Sequence, residues 1–408
     1  MPNEKAPLPL EGIKVIELAT VVAAPTVGRM LAAYGAEVIK IESPPVGDQQ
    51  RRAGKMHQIP AEDYNNPEFD VFNSGKKKIA LNLKSNDGIA ALHKMLADTD
   101  VFLSNVRMDA LGRLGLSYET LKERYPRLIY AHLSGYGLKG PNAKKPGYYH
   151  TTFWQTGPLV DWPVKGDFPL RPTYGFGDEV TASNLTAGIL MAILSREKSG
   201  HGTMVTISLY GTGVWCNASF VMASQPQFAM ELPWKKYSFN PFVTWFQCAD
   251  GKWIYILGKY DYERDKEIYA KLFNIPELLT DPRAESLATL AQYNAFEEYY
   301  LKVGKAVKLH TSEEWQKLLD SCDVAYSMEY HFADVCQDPQ AWENEYLEKI
   351  EYPCGTVAMP KIPIKFSEYG EREFQISGGI GEDTDEVLQS YGYSLAEIEK
   401  MRADKAVL

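Results

Sequence analysis

Residues 12–44 read GIKVIELATVVAAPTVGRMLAAYGAEVIKIESP, and this stretch predicts the fold. Ile13 to Leu18 is an apolar run of strand length, and Pro25 suits the first turn of a following helix that ends near Gly35. Glu37 to Glu42 then has the composition of a second strand. Because strand–helix–strand is the repeating unit of a parallel sheet, we expect an α/β fold. The spacing G-x-G-x-x-G is missing here, which argues against an NAD or FAD site of the usual kind.

The same alternation continues along the chain. We expect strands over 78–83, 101–105, 128–134 and 203–209, and helices over 86–97, 109–114, 118–124 and 180–198. A Gly- and Pro-rich stretch, 135–147, interrupts this rhythm in the manner of a functional loop.

The composition changes near Gln225, where aromatic residues become frequent. We interpret the region from there to about residue 332 as a smaller second domain. Its aromatic cluster near Trp245 and Trp253 is more typical of a core than of a substrate pocket. From about residue 333 the chain turns acidic and ends in a predicted helix–turn–helix.

Length, charge and cysteine usage exclude several classes of protein. A chain of 408 residues suggests two or three domains, and its net charge of −10 argues against nucleic acid as a partner. The longest apolar run, Ile189 to Leu194, is too short to span a membrane, and the opening residues lack a secretory signal. Five cysteines without a C-x-x-C pair exclude a disulfide scaffold and a Cys-based zinc site, and they fit a cytoplasmic location.

The charge is unevenly distributed. Residues 71–125 carry nine Lys/Arg against six Asp/Glu, whereas residues 331–408 carry seven against sixteen. A basic stretch inside an acidic protein would suit a small phosphorylated ligand, although a mosaic of surface charge gives the same pattern.

Asp178 is the residue that the local pattern singles out. It follows Gly175 and Gly177, which let backbone or a ligand approach closely, and it lies where the next helix should begin. There the helix dipole and free N–H groups favour the ionised carboxylate, which can act as a nucleophile. Asp at a helix start is also an ordinary cap, and the local pattern leaves both interpretations open.

Other common catalytic motifs are missing. The sequence holds no G-x-S-x-G nucleophile elbow, no G-x-x-x-x-G-K-[ST] phosphate loop and no pair of histidines at metal-ligand spacing, so no metal site is predicted. Of the seven histidines, His150 stands out because it lies beside the glycine-rich loop.

Taken together, these segments resemble the family III CoA-transferases over essentially the whole chain. The matching motifs occur in the same order and are residues 13–44, 72–84 (FNSGKKKIALNLK), 101–116 (VFLSNVRMDALGRLGL), 125–141 (YPRLIYAHLSGYGLKGP), Gly177–Asp178 and 381–394 (GEDTDEVLQSYGYS). Residues 240–246 (NPFVTWF), 338–353 and 360–366 (PKIPIKF) look like a branch that moves CoA between an enoyl-CoA and aryl- or branched-chain 2-hydroxy acids.

The resemblance implies an architecture. We expect a large Rossmann-like domain with a parallel sheet, formed by 1–224 and completed by 333–408, and a smaller α+β domain over 225–332 that includes the linkers. The family also implies an interlocked homodimer.

The resemblance also implies a mechanism and a site. Asp178 occupies the position of the family's nucleophile, the partners are an acyl-CoA and a small carboxylic acid, and no permanently bound cofactor or metal is expected. The implied contacts to CoA are Val22, Ala23, Leu81, Lys84, Asn105, Arg107, Arg113, Gly135 and Tyr136.

The chain departs from the family pattern at several positions. Some members have glutamine in place of Val22 and arginine in place of Ser43. The lid that is glycine-rich in formyl-CoA transferase corresponds to residues 257–261 (LGKYD), so we expect Gly258 and Tyr260 to take part in it.

The sequence is also compatible with other functions. The α-methylacyl-CoA racemases share the fold but pair their aspartate with a histidine, where this chain has Tyr148 after Gly147. Tyrosine is a poor base near neutral pH, and His150 lies two residues away. Two further hypotheses compete with this interpretation. One is a non-catalytic acyl-CoA binding protein, and the other is a CoA-transferase whose acid is a bile acid, carnitine or oxalate.

Overall fold

The computed structural model describes residues 7–161, 163, 169–228, 240–258, 261–322 and 324–408. These residues fall into two compact units. The first comprises residues up to 158 together with 171–222 and 339–408, and the second comprises 159–170 and 223–338.

A parallel sheet of six strands forms the first unit, as the strand–helix alternation predicted. The strands are β1 (Lys14–Leu18), β2 (Glu37–Glu42), β3 (Lys77–Ala80), β4 (Val101–Ser104), β5 (Ile129–Ser134) and β6 (Met204–Ser208). Their order in the sheet is β3-β2-β1-β4-β5-β6, with every neighbouring pair parallel. Most of their residues are buried, which is typical of parallel strands covered on both faces.

Helices follow the strands. In chain order they are α1 (Ala23–Ala33), α2 (Pro67–Asn73), α3 (Asn86–Leu96), α4 (Met108–Arg113), α5 (Tyr118–Arg124), α6 (Pro158–Asp161), α7 (Phe176–Ser199), α8 (Leu209–Cys216) and α9 (Ala218–Ala223). All of α6 after its first residue belongs to the second unit. Short 3₁₀ helices occupy Gln49–His57, Tyr149–Thr151 and Trp154–Thr156.

Two apolar clusters cover the two faces of this sheet. Because successive strand residues point to opposite faces, Val15 belongs to the cluster that includes α1 and α7, whereas Ile16 belongs to the cluster that includes α3 and α5. The C-terminal residues Ile398 and Met401 complete the second cluster.

The second unit has its own core. Its three-stranded antiparallel sheet consists of β7 (Thr244–Gln247), β8 (Trp253–Gly258) and β9 (Ala325–Met328). Its helices are α10 (Tyr262–Leu272), α11 (Leu287–Gln292), α12 (Phe296–Val307), α13 (Ser312–Ser321) and α14 (Phe332–Val335), with 3₁₀ turns at Pro276–Leu279 and Pro282–Ala284.

The interpretation of the aromatic cluster as core is confirmed for Phe242 and Phe246, which are buried, and is wrong for Trp245 and Trp253. Their side chains are 44% and 42% exposed, because they alternate along β7 and β8 with the buried residues Phe246 and Ile254.

The C-terminal part of the chain belongs to the first unit. It contains α15 (Pro339–Glu343), the antiparallel pair β10 (Leu347–Tyr352) and β11 (Gly355–Pro360), and then α16 (Thr384–Ser390) and α17 (Leu395–Ala403). The predicted helix–turn–helix at the end is confirmed by α16 and α17.

Candidate active site

The carboxyl ends of the six parallel strands share one edge of the sheet, and most of the CoA contacts implied by the resemblance lie just beyond it. In order of strand they are Val22 and Ala23 after β1, Leu81 and Lys84 after β3, Asn105 and Arg107 after β4, and Gly135 and Tyr136 after β5. Open α/β sheets bind their ligands at this edge, where the strand order reverses between β1 and β4.

The residues after β1 and β3 are mostly buried. Val22 is the residue preceding the first turn of α1, and Ala23 is its first residue; both side chains are buried. Leu81 is also buried and donates its N–H to the Glu42 carbonyl at 3.0 Å, whereas Lys84 is exposed. Among these four residues, only Lys84 therefore offers an exposed charge.

Asn105 joins the ends of β4 and β1. Its side-chain Nδ2 donates to the Thr20 carbonyl at 2.8 Å, and the Thr20 N–H donates to its Oδ1 at 3.1 Å. The loop after β1 is thus tied to the loop after β4 by contacts within the protein.

The two arginines of the basic segment lie on and next to α4. Arg107 precedes the first turn of this helix and is exposed. Arg113 ends the helix, its side chain is 71% exposed, and its NH1 lies 3.0 Å from Asp109 Oδ2. An exposed pair of this kind contributes little to stability.

Tyr136 and Tyr148 belong to the glycine-rich region. The Tyr136 hydroxyl donates to the Thr151 carbonyl at 2.8 Å, and Gln155 Oε1 lies 3.2 Å from the same oxygen. Tyr148, at the place of the racemase histidine, has an exposed side chain.

The expected lid residues lie in the second unit. Gly258 ends β8 with a φ of 68° and is buried; a Cβ there would lie 2.0 Å from the Tyr269 hydroxyl. Its small size is therefore required by packing against Tyr269. Tyr260 lies outside the described residues.

The position of Asp178 in its helix differs from the prediction. The helix begins at Phe176 rather than near Val180, and Gly175 is its N-cap residue, with a φ of 75° that favours glycine. Asp178 is therefore the third residue of α7, and of the two interpretations that the sequence left open, that of an N-cap residue does not hold. The left-handed turn at Gly175 explains the early start of the helix.

Gly177 brings the start of α7 against the 3₁₀ segment before it. A Cβ at this position would lie 2.7 Å from Cγ of Phe153, whose ring is buried. The close approach expected of Gly177 is thus made by a protein side chain, and it fixes the helical turn that carries Asp178.

The expectation that the start of the helix favours the ionised form of Asp178 is also wrong. Its side chain is buried, at 6% exposure, and burial, with a smaller effect from Glu179, raises the pKa of Asp178 to about 7. Loss of water therefore outweighs the helix dipole that was expected to favour the ionised form. Within the described part of the chain, no group hydrogen-bonds this carboxylate.

Two tyrosines that the sequence did not single out lie near Asp178. Burial raises the pKa of Tyr149 to about 12, and the charges of Asp178 and Tyr174 add to this effect. The rings of Tyr149 and Tyr174 meet edge to face with centroids 6.3 Å apart. His150, noted for its place beside the loop, has Nε2 2.7 Å from the Tyr149 hydroxyl.

Across the described ranges, no group of three or more His, Cys, Asp or Glu side chains is arranged to hold a metal ion. No helix in those ranges is long and apolar enough to cross a membrane.

The sequence matches a family model described as CoA-transferase family III over residues 10–384. Among curated proteins, the chain is similar to (R)-2-hydroxy-4-methylpentanoate CoA-transferase of Clostridioides difficile, with 35% identity over 98% of this chain and 99% of the relative. It is also similar to cinnamoyl-CoA:phenyllactate CoA-transferase of Clostridium sporogenes, with 36% identity over 97% of both chains.

Solved structures share the fold. A CAIB/BAIF family protein from Brucella suis has a TM-score of 0.76 and 25% identity, covering 94% of this chain and 100% of its own. Rv3272 from M. tuberculosis has a TM-score of 0.81 and 24% identity, covering 93% and 99%.

Proposed function

The chain belongs to CoA-transferase family III, and from this premise we propose that it transfers CoA from a 2-enoyl-CoA to an aryl- or branched-chain 2-hydroxy acid, with Asp178 as the nucleophile. The observation that carries this proposal is the match of nearly the whole chain to two enzymes named for 2-hydroxy acids. The buried carboxylate of Asp178 supports the assignment of the nucleophile.

The reaction proceeds by four exchanges at carbonyl carbon. A carboxylate oxygen of Asp178 attacks the donor thioester, the C–S bond breaks, and a mixed anhydride and CoA thiolate form. The thiolate attacks the Asp178 carbonyl of the anhydride, which releases the donor acid and leaves an aspartyl-CoA thioester. The acceptor carboxylate displaces CoA to form a second anhydride, and the thiolate then attacks the acceptor carbonyl and regenerates Asp178.

The surroundings of Asp178 suit this chemistry. Anhydride and thioester intermediates are lost if water reaches them, and a buried side chain limits that access. Because the pKa of Asp178 is about 7, a substantial fraction of the carboxylate is ionised at neutral pH. The energy of the thioester bond is retained in each intermediate, so the scheme needs no ATP.

The basic residues support CoA as the substrate at this edge of the sheet. Arg107, Arg113 and Lys84 are exposed and follow strand ends on the edge that the nucleotide would occupy. A guanidinium can bind phosphate through two hydrogen bonds, whereas Lys84 acts as a single charge.

We further propose that the protein acts as a homodimer. Large apolar side chains are exposed on the helices after Asp178: Met191 and Leu194 on α7 are each 67% exposed, and Trp215 on α8 is 72% exposed. Apolar patches of this kind favour association with another protein surface. Light scattering after size-exclusion chromatography should give twice the mass of one chain, and a monomer at micromolar concentration would contradict the proposal.

A panel of acids tests the proposed reaction. Cinnamoyl-CoA and 4-methylpent-2-enoyl-CoA are each mixed with phenyllactate, 2-hydroxyisocaproate, oxalate, carnitine and a bile acid, and new thioesters are detected by chromatography. We expect thioesters of the first two acids. A preference for oxalate, carnitine or the bile acid would contradict the proposal that the acceptor is an aryl- or branched-chain 2-hydroxy acid. A separate incubation uses a saturated 2-methylacyl-CoA alone in deuterated water, and exchange of its α-hydrogen without a new thioester would indicate an isomerase instead.

A further inference from the structure

Three consecutive residues of the loop after β1 are each held by a side chain from elsewhere in the fold. The Ala19 carbonyl accepts from Lys40 Nζ at 2.8 Å. Thr20 is held in both directions by Asn105. The Val21 N–H donates to Asp48 Oδ1 at 3.0 Å. The loop therefore has a fixed shape directly before Val22 and the start of α1.

Val21 is the strained member of this loop. Its φ is 71°, which lies in the left-handed region that a β-branched residue rarely adopts. Such a conformation persists only where surrounding contacts hold it, and it is most frequent at functional sites. The hydrogen bond from its N–H to Asp48 ties this residue to the rest of the fold.

Asp48 itself is fixed by a chain of buried charges. Lys40 Nζ lies 2.9 Å from both Asp48 Oδ2 and Glu17 Oε1, and Lys76 Nζ lies 2.8 Å from Glu17 Oε2. All four side chains are fully buried. Burial opposes the charge on Lys40, but Asp48, Glu17 and Glu42 together raise its pKa above the ordinary value, so it remains charged.

The same chain of charges supports the first turns of α1. Lys76 Nζ donates to the Pro25 carbonyl at 2.7 Å. A Cβ at Gly28 would lie 1.9 Å from Glu17 Oε2, so α1 rests directly on that carboxylate. The loop after β1 and the start of the following helix are thus held by one buried network.

We propose that Asp48 is a positioning residue for the CoA donor, because its carboxylate oxygen holds the left-handed backbone of Val21 and so sets Val22 and Ala23 before the ligand arrives. A loop that is already ordered does not lose conformational freedom on binding, and affinity rises accordingly. This inference rests on the proposed function, since it takes CoA as the ligand of this edge.

Two substitutions separate the hydrogen bond from the charge. Asp48→Ala removes the acceptor for the Val21 and Gln50 N–H groups. Asp48→Asn keeps an oxygen in that place but sets an NH₂ group, a donor, against the Lys40 ammonium in place of the charged oxygen. We expect Asp48→Ala to weaken CoA binding, measured by calorimetry, and to raise the KM for the donor by about tenfold, with kcat changed by less than about twofold. Asp48→Asn should bind CoA within about twofold of the wild type although it is less stable.

Asp70→Asn is the matched control. Asp70 is another fully buried aspartate of the same unit, and it accepts from the Tyr352 hydroxyl at 2.8 Å and the Ser377 N–H at 3.0 Å. The Asp70→Asn protein should be less stable than the wild type but should bind CoA with the same affinity. The inference would be overturned if Asp48→Asn weakened CoA binding as much as Asp48→Ala does. It would also be overturned if Asp70→Asn weakened CoA binding to that extent. If the wild type itself does not bind CoA, the proposed function fails, and this inference fails with it.

A second measurement needs no variant. Hydrogen exchange of the peptide that covers residues 19–23 should be slow in the wild type without CoA, because the Thr20 and Val21 amides are already bonded. Addition of CoA should change the exchange rate of this peptide little. Fast exchange that slows when CoA is added would overturn the inference, because the loop would then be ordered by the ligand rather than by Asp48.

Discussion

The side chain of Asn105 and the backbone of Thr20 hydrogen-bond each other in both directions, at 2.8 and 3.1 Å. Thr20 follows β1 and Asn105 follows β4, the two neighbouring strands at which the order of the sheet reverses. The pair therefore bridges the crevice in which an open α/β sheet binds its ligand.

Asn105→Ala should loosen this bridge. We expect the KM for the acyl-CoA donor to rise by about five- to tenfold, the effect of one or two lost hydrogen bonds, with a smaller change in kcat. Steady-state kinetics with varied donor measure it. Asn344→Ala is the control, because the Asn344 amide donates to a backbone carbonyl at 2.8 Å on α15. An unchanged KM in Asn105→Ala would show that the bridge does not serve CoA binding.

Arg113→Ala should weaken donor binding. If Arg113 meets a phosphate of CoA, its loss should raise the donor KM by about tenfold or more, since charge-assisted hydrogen bonds of this kind contribute about 1.5–3 kcal/mol. The contribution should also decline as salt is added. Arg124→Ala, an exposed arginine on the next helix, controls for a general loss of positive charge. A donor KM equal to that of the control would remove Arg113 from the site.

Asp178 should give the reaction a steep acid limb. Burial raises the pKa of this carboxyl group to about 7, and only the ionised form attacks a thioester. The competent fraction therefore falls about tenfold for each pH unit below the pKa, so kcat/KM should rise with pH and level off above about 7. A flat profile between pH 5 and 7 would mean that the catalytic group titrates at the ordinary pKa of an aspartate.

The same pKa shift predicts a change in stability. Between about 4 and about 7 the folded protein keeps a proton on Asp178 that the unfolded chain has lost, so folding becomes less favourable as pH rises through that range. Asp178→Asn has no such proton. The denaturant midpoint of the wild type should therefore fall relative to that of Asp178→Asn between pH 5 and pH 8. A constant difference would contradict the raised pKa.

Gly177→Ala should disturb Asp178, the proposed nucleophile, through packing. The added methyl would lie 2.7 Å from the Phe153 ring, so either the ring or the first turn of α7 must move. We expect a loss of about 1–3 kcal/mol in the free energy of unfolding and a clear fall in kcat. Phe153→Leu in the same protein should restore part of both quantities by making room. Normal kcat in Gly177→Ala alone would show that this contact does not set the position of Asp178.

The sequence was sufficient to predict the parallel sheet, because the strands and helices of this region have strong and different hydrophobic periods. The predicted strand Glu37–Glu42 has the same bounds in the structure, and the other predicted strands and helices lie within a few residues of their observed ends. The start of α7 was misjudged because the left-handed turn at Gly175 begins the helix before Asp178.

Tertiary contacts account for what sequence reasoning missed around the site. Asp48 and Val21 are 27 positions apart, and no local pattern relates them. Lys40 sits in the middle of an apolar strand, and its buried partners become visible only once the sheet is assembled. The proximity of Tyr149 and Tyr174 to Asp178 could not be read for the same reason, although His150 beside the loop was a partial signal.

Covalent capture of CoA tests the central claim most directly. The wild type is incubated with acyl-CoA without acceptor and digested, and the peptides are examined by mass spectrometry, with Asp178→Ala in parallel. We predict CoA on the peptide that contains Asp178, cleavage of that thioester by hydroxylamine at this residue, and no adduct or turnover in Asp178→Ala. CoA attached to another side chain, or transfer by Asp178→Ala at a near-native rate, would contradict the account.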